Sequence, residues 1–277
     1  MVPVLIKKVL YKVLGPDRYL YFQFLGKARD LRLGTVWEKE LHLLPLVVRP
    51  GETTLDIGAN YALYCYHLAR AVGEKGQVHA FEPIPFTYQV CDKLVRHFEL
   101  KNVHLYNKGC GDRNGKAIFE TPLQSFGAIS AGQAHLSGRM NDMEGKERHY
   151  KFKEAAKVEC EIVRLDDFLP DMENLSFMKF DIEGSEYFAL QGAKALIAKH
   201  HPIILCEINP FFLKGFKIDL KVFLDFMAGL GYRLYFYSFQ DGRHHITETR
   251  AEDVVANNYL FIHPDRWDRV KAMSCRT

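Results

Sequence analysis

Between Thr53 and Ile208 short runs of apolar and β-branched residues alternate with stretches whose apolar positions recur every three to four residues. The strand-type runs are TTLDIG, GQVHAFEP, KNVHLYNKGCGD, LSFMKFDIEG and PIILCEI. Between them lie the helical patterns YALYCYHLARAVG, FTYQVCDKLVRHFEL and SEYFALQGAKALIAKH. Strand and helix in strict alternation predict a parallel sheet with crossover helices. The alternation breaks from about Gly115 to Val163, where GKAIFETP and AAKVECEIVRL read as antiparallel strands around SFGAISAGQAHLSGRMND. That segment has small polar residues and no apolar period, so it reads as a mobile loop. A helix, DLKVFLDFMAGLG, and two strands, YRLYFYSF and NNYLFIHP, complete the pattern. The prediction is one α/β domain over residues 37–277, with a helical extension over 1–36 and a small β/loop insertion.

Composition narrows the class. With 48% hydrophobic and 26% charged residues the chain resembles ordinary globular proteins. A net charge of +3 gives no support to a nucleic-acid partner. The charge is uneven, however. Residues 1–33 hold seven Lys or Arg against Asp17 and Asp30, a local balance of +5. Lys7, Lys8 and Lys12 are set among Leu5, Val9, Tyr11 and Val13, so this stretch reads either as a helix docked on the domain or as a peripheral contact with an anionic membrane. The six cysteines show no C-x-x-C spacing, which argues against zinc and disulfides and points to the cytoplasm. No apolar run reaches the roughly 20 residues of a spanning helix.

In an α/β sheet of this kind ligands bind beyond the carboxyl ends of the strands. Four motifs fall there: DIGAN, FEP, NKGCGD and FDIEG. Gly58 permits a tight turn and close backbone approach. Glu82, 26 positions after Asp56, is placed to accept ribose hydroxyls. The structural alternatives are an ordinary strand-to-helix turn and an exposed strand-end acid. A dinucleotide site favours G-x-G-x-x-G, whereas GANYAL has one glycine, so a nucleoside ligand without phosphates fits better. No P-loop pattern is present.

Together TTLDIGANYALY, VHAFEPIP, NKGCGDRNG, MKFDIEGSEYFALQGA and PIILCEI resemble the FkbM family of S-adenosylmethionine-dependent methyltransferases, over about Trp37 to Ile208. The resemblance implies a class I methyltransferase fold: a Rossmann-like, mostly parallel seven-stranded sheet with helices on both faces. It also implies methyl transfer to a hydroxyl of a sugar, glycan, glycolipid or natural product. By the same resemblance Asp56, Gly58, Ala59 and Asn60 would hold the methionine end of the cofactor and Glu82 the ribose. Lys108, Gly109 and Cys110 would lie near the adenine, and Asp181 and Glu183 would face the methyl group. The sequence departs from the family at Ala62, commonly Gly.

Asp181 or Glu183 is a candidate general base, with helix capping the alternative for Glu183 and Glu186. Asp181, Glu183 and Glu207 are also a candidate set for a divalent cation. His135, His244 and His245 are weaker candidate bases, since a lone histidine is more often merely solvated. EINP, at Glu207 to Pro210, follows the fifth strand of the alternation rather than the fourth, which disfavours amino-group methylation. The remaining readings are an RNA ribose 2'-O-methyltransferase, a non-catalytic cofactor-binding module and, least favoured, a nicotinamide oxidoreductase.

Overall fold

The computed structural model describes residues 4–122, 133–140, 155–271 and 273–275. The chain opens with helix α1 (Val4–Leu33), kinked at Gly15, and a short α2 (Leu44–Val47). The alternating core follows as β1 (Thr53–Ile57), α3 (Leu63–Val72), β2 (Gln77–Phe81), α4 (Pro85–His97) and β3 (Val103–Tyr106). Next come β4 (Gly109–Cys110), β5 (Gly115–Pro122), β6 (His135–Leu136), β7 (Ala155–Val163) and α5 (Leu165–Phe168). Alternation resumes with β8 (Leu175–Phe180), α6 (Glu186–Gln191), α7 (Lys194–His200), β9 (Ile203–Ile208), α8 (Pro210–Gly215) and α9 (Leu220–Gly229). The chain ends with β10 (Arg233–Gln240), β11 (Arg243–Glu248), β12 (Asn257–Ile262), α10 (Trp267–Val270) and β13 (Ser274–Cys275).

The main sheet has the order β13-β11-β10-β12-β9-β8-β1-β2-β3. From β3 to β9 every pairing is parallel. β12 inserts antiparallel between β9 and β10. The expected seven strands are all present, but among the described residues the sheet has nine. The additional ones are β11, an antiparallel hairpin partner of β10, and β13, parallel to β11. RHHITE has neither strict alternation nor a strong β-propensity; hydrogen bonds from β10 make it a strand, a tertiary effect local pattern does not report.

Period-two alternation sends successive side chains to opposite faces, and here both faces are covered. Ile203 and Leu205 of β9 join a core with α1, α3 and α4, whereas Ile204, Cys206 and Ile208 join a core with α6, α7 and α9. Each large apolar side chain buried in these layers contributes about 1.5–3 kcal/mol. Residues Leu20, Phe24, Ala28 and Leu31 of α1 are buried in the first of these cores. At least from Tyr19 onward the extension is therefore docked on the domain.

The predicted insertion is a second sheet of order β4-β7-β5-β6. Of the segment read as a mobile loop, 125–142, residues 125–132 and 141–142 lie outside the described residues; 133–140 corrects that reading, since it contains β6 and a turn. The long helix expected from Ser185 to His200 is broken into α6 and α7. At Gly192 a Cβ would lie 1.9 Å from the Gly111 carbonyl oxygen, so the break is where the two backbones touch.

Candidate functional site

The four predicted motifs converge at the carboxyl ends of β1, β2, β3 and β8, knitted by backbone hydrogen bonds. The amides of Gly58 and Ala59 donate to the Phe81 carbonyl at 3.0 and 2.9 Å, and the Asp181 amide donates to Ile57 at 3.1 Å. The amide of Asn60 donates to a Glu82 carboxylate oxygen at 2.9 Å. All three successive amides of the first turn are thus consumed inside the protein. An anion nest needs such amides free, so the turn is no phosphate cradle.

Gly58 has φ +88°, and a Cβ there would stand 2.1 Å from the Asp181 carbonyl oxygen. The close approach that demands glycine is to the neighbouring strand end. Asn60 and Ala62 also have positive φ, 48° and 63°. Ala62 precedes α3 in the left-handed region and is fully buried. That conformation costs an L-residue roughly 1–2 kcal/mol, so a glycine-preferring position is occupied by the smallest side chain that carries a Cβ.

Glu82 accepts from both Asn60 and Ile84 amides, at 2.9 and 3.0 Å, and so holds the first and second turns together. Burial pushes its carboxyl up to about 7 against the pull of those two bonds. Asn107 adds a clamp that sequence reasoning missed, donating to the Glu82 and Pro83 carbonyls at 2.8 and 2.9 Å. Its signal was an Asn after the third strand, hidden by the more conspicuous glycines.

Asp56 is fully buried, and neither of its carboxylate oxygens makes a close hydrogen bond; the amide of Cys65, in the first turn of α3, is the backbone donor that reaches toward it. Burial raises it to about 6, with Lys179 opposing and Asp181 assisting. Lys179 faces Asp56 across the β1–β8 pair. Its ammonium nevertheless donates to Asp181 at 2.9 Å and lies 4.5 Å from the centroid of the Tyr64 ring. The Tyr64 hydroxyl donates to Glu38 at 2.7 Å. Burial alone would lower the lysine, yet Asp181 and Asp56 outweigh it and raise its affinity for a proton. Lys179, Tyr64 and Glu38 were not singled out from sequence; a lysine inside an otherwise apolar strand was the available signal.

Beyond β8 the turn 181–184 carries more acid than base. Glu183 stands at φ 56° and is half-buried; burial, then Asp181 and Glu186, push it up to about 8. Arg139, from the turn after β6, donates to the Glu183 carbonyl at 2.8 Å and stacks 4.1 Å over Phe212. Glu186 accepts from the Ile182 and Gly184 amides at 2.8 and 3.2 Å; both precede α6, so the carboxylate holds the turn that leads into the helix and not the helix end itself. Glu207, at the end of β9, is pushed up to about 9 by burial and by Asp181, Glu186 and Glu183. One of its oxygens is buried without a partner. Asp181, Glu183 and Glu207 do not bring one oxygen each within 4.8 Å of the others, so they form no ready-made cation cage.

The residues assigned to the adenine end have structural partners as well. Lys108 forms an ion pair with Glu161 of β7, while Gly109 and Cys110 are buried and pair in register with Ile162 and Val163. These three nevertheless line a small cleft with Gly58, Pro83 and Ser185.

The three candidate histidines stand apart from these acids in the bonding pattern. His135 is buried in β6 with Nδ1 3.2 Å from the Gln133 carbonyl. His244 and His245 belong to β11, and His244 Nδ1 lies 3.0 Å from the Tyr237 hydroxyl. In EINP, Asn209 caps α8 by accepting from Phe211 and Phe212 at 3.1 and 3.4 Å.

Comparison with known proteins is consistent with this geometry. "Methyltransferase 1" of Beauveria bassiana (strain ARSEF 2860) is 22% identical over 145 residues, and that match takes in 50% of this chain and 57% of the relative. The chain thus spans little more than half of that protein's length. A methyltransferase FkbM structure from Methylobacillus flagellatus KT superposes with a TM-score of 0.45 at 15% identity, covering 90% of this chain and 60% of the other. A SAM-dependent O-methyltransferase from Thermotoga maritima gives 0.43 at 12%, covering 82% and 64%. The Methyltransferase FkbM domain matches residues 56–234, well over half of the sequence, beginning at Asp56 and taking in all four strand-end motifs. By that match the chain belongs to the FkbM methyltransferase family.

Proposed function

We propose that the protein transfers a methyl group from S-adenosylmethionine to a hydroxyl of a sugar, glycan or lipid-linked acceptor. The observation that carries this reading is Asp56, a fully buried carboxylate with no close hydrogen bond to either oxygen and only the Cys65 amide reaching toward it. Burying such a group is costly without a compensating charge, and Lys179 is already drawn to Asp181. A cationic ligand group would relieve the deficit. S-adenosylmethionine has an ammonium and a sulfonium, and carries no phosphate that would need the amides this turn has spent.

When bound, the cofactor supplies an electrophilic methyl group on sulfur. Asp56 would favour its positive charge, and Glu82, which holds the two turns together, would meet the ribose. Around the acceptor, Glu183 is the group suited to take the hydroxyl proton, because a carboxyl titrating near 8 is a stronger base than an ordinary carboxylate. Asp181, fixed by Lys179, would orient the acceptor oxygen.

Isothermal titration with S-adenosylmethionine tests the assignment. Binding should occur with the intact protein and fall by about 100-fold or more in Asp56→Ala and Glu82→Ala, the loss of a charged hydrogen-bonding partner being worth roughly 3 kcal/mol. Unchanged binding in both variants would refute it.

A further inference from the structure

Helix α1 has two faces of opposite character. Leu20, Phe24, Ala28 and Leu31, spaced by three or four residues, form the buried stripe that packs on the domain. Arg18, Tyr21, Leu25, Arg29 and Leu33 have the same spacing on another face, and all are exposed. Tyr21, Leu25 and Leu33 are 54%, 48% and 60% exposed, and Val36 and Trp37, just after the helix, are 39% and 47% exposed. With Val13, six of the twelve exposed large apolar side chains among the described residues fall within residues 13–37. Such a concentration marks an interaction surface.

The charge on this surface has one sign. No acidic side chain is exposed between Arg18 and Leu33; Asp30 is half-buried and accepts from the Thr35 hydroxyl at 2.8 Å. Arg18 and Arg29 are exposed beside Tyr21 and Leu25, and residues 1–33 as a whole are +5, with seven basic and two acidic residues. A protein partner or a second copy of this chain would need a matching acidic and apolar patch. Anionic lipid headgroups over acyl chains match both components at once. No helix among the described residues is long and apolar enough to cross a membrane, so the contact would be peripheral.

We infer that the exposed face of α1 docks this protein on an anionic lipid surface. Docking there has a consequence for the site. Tyr19 stacks on Phe86 at the start of α4, 6.4 Å between ring centroids, and Phe24 meets His97 at its end, at 5.4 Å. The earlier part of α1 thus lies at the end of α4 nearest the strand ends that carry Asp56 and Glu82. A protein held by this face keeps its cleft beside the bilayer, which suits an acceptor with a lipid anchor. The docking itself does not depend on the methyl-transfer reading.

Co-sedimentation of the full chain with vesicles decides it. Binding is expected to phosphatidylcholine vesicles containing phosphatidylglycerol, to weaken with salt, and to be at least about tenfold weaker on phosphatidylcholine alone. An R18E/R29E double variant and a Y21S/L25S double variant should each lose about tenfold or more, with unchanged circular dichroism and unchanged affinity for S-adenosylmethionine. Absence of binding to anionic vesicles, equal binding to neutral ones, or wild-type binding by both variants would overturn the inference. So would a dimer broken by Y21S/L25S, or tight binding to a homopolymeric RNA, where vesicle binding is missing. Because cofactor affinity is read separately, failure here and failure of the proposed function are distinguishable.

Discussion

The carboxyl ends of β1 and β2 and those of β8 and β9 are both rich in carboxylates, but they treat them differently. At the first pair Glu82 is tied by two backbone amides, and Asp56 faces a lysine engaged elsewhere. At the second pair Asp181, Glu183, Glu186 and Glu207 crowd together, and mutual repulsion adds to burial in raising three of them. The first region is a preorganised cradle that lacks one positive charge. The second is a cluster of carboxyl groups that keep their protons to higher pH than ordinary carboxyls do. On the proposed reading, binding and proton transfer fall to different parts of one sheet edge, and substitutions should separate them.

The largest effects are expected in the second region. Asp181→Asn and Glu183→Gln should lower kcat about 100-fold or more, the usual range for removing a general base or its orienting partner, with S-adenosylmethionine affinity little changed. Titration calorimetry beside initial-rate kinetics reads both quantities. Equal losses of affinity and rate would erase the distinction between the regions.

Next comes a contrast within the cradle. Glu82→Gln replaces one acceptor oxygen by an amide nitrogen that cannot accept, leaving a buried N–H unpaired at about 1–3 kcal/mol; the melting temperature should fall by about 3–10 °C. Asp56→Asn removes a buried ionisable group that makes no close hydrogen bond, and the amide oxygen can still face the Cys65 amide, so the unliganded protein should melt within about 2 °C of wild type or above it. Cofactor affinity should drop in both. A large loss of stability in Asp56→Asn would mean that the carboxylate has a partner in the resting protein.

The acids also set the direction of pH dependence. Asp56, Glu82, Glu183, Glu186 and Glu207 all titrate higher in the folded chain than their ordinary values, reaching between about 6 and about 9. Over that window the folded state binds more protons than the unfolded one, so stability falls as pH rises. The ligand-free protein should melt several degrees higher at pH 5 than at pH 8. A cationic cofactor should narrow the gap. Calorimetric scans with and without S-adenosylmethionine would show this, and a melting temperature rising toward pH 8 would contradict the crowding.

The sequence disclosed the cradle more readily than the crowd. Asp56, Gly58, Glu82 and Asp181 lie at strand ends that alternation alone could place. Within-segment spacing also marked Glu186 as a group tied to the start of α6, although the amides it meets belong to the turn before the helix. The sequence likewise grouped Glu207 with Asp181 and Glu183. What the sequence could not show depends on chain segments far apart: Glu207 meeting Glu186, Lys179 set between Asp56 and Asp181, and Arg139 reaching from the insertion to the Glu183 carbonyl. The reason for Gly58 was hidden for the same cause, since its close contact is the Asp181 backbone. The hairpin strand β11 and the break at Gly192 likewise answer to tertiary neighbours.

Arg139 gives a subtler test of the crowded region. Its guanidinium lowers the Glu183 carboxyl, against burial and the neighbouring acids, and it also fixes that residue's carbonyl. In Arg139→Ala the folded-state value of Glu183 should rise further. If Glu183 acts when ionised, the acid limb of the kcat profile should then move to higher pH by up to about one unit, a cost of roughly 1.4 kcal/mol at neutral pH. Arg139→Lys should restore the charge but not the stacking on Phe212, and should recover most of the profile. A uniform loss of rate at all pH values would reduce Arg139 to a structural tether.

The smallest effect is expected at Ala62, where two contributions oppose. Replacing it by glycine relieves a left-handed backbone worth roughly 1–2 kcal/mol. The same change deletes a fully buried methyl, about 0.8 kcal/mol, and adds unfolded-chain entropy of about 0.4–1 kcal/mol. The sum lies near zero, so Ala62→Gly should shift the melting temperature by no more than about 3 °C and leave cofactor affinity within about tenfold. The three amides before it are already bound inside the protein, so the turn has no close backbone approach to offer that glycine would improve. A gain in affinity beyond tenfold would mean that the cofactor meets this turn directly.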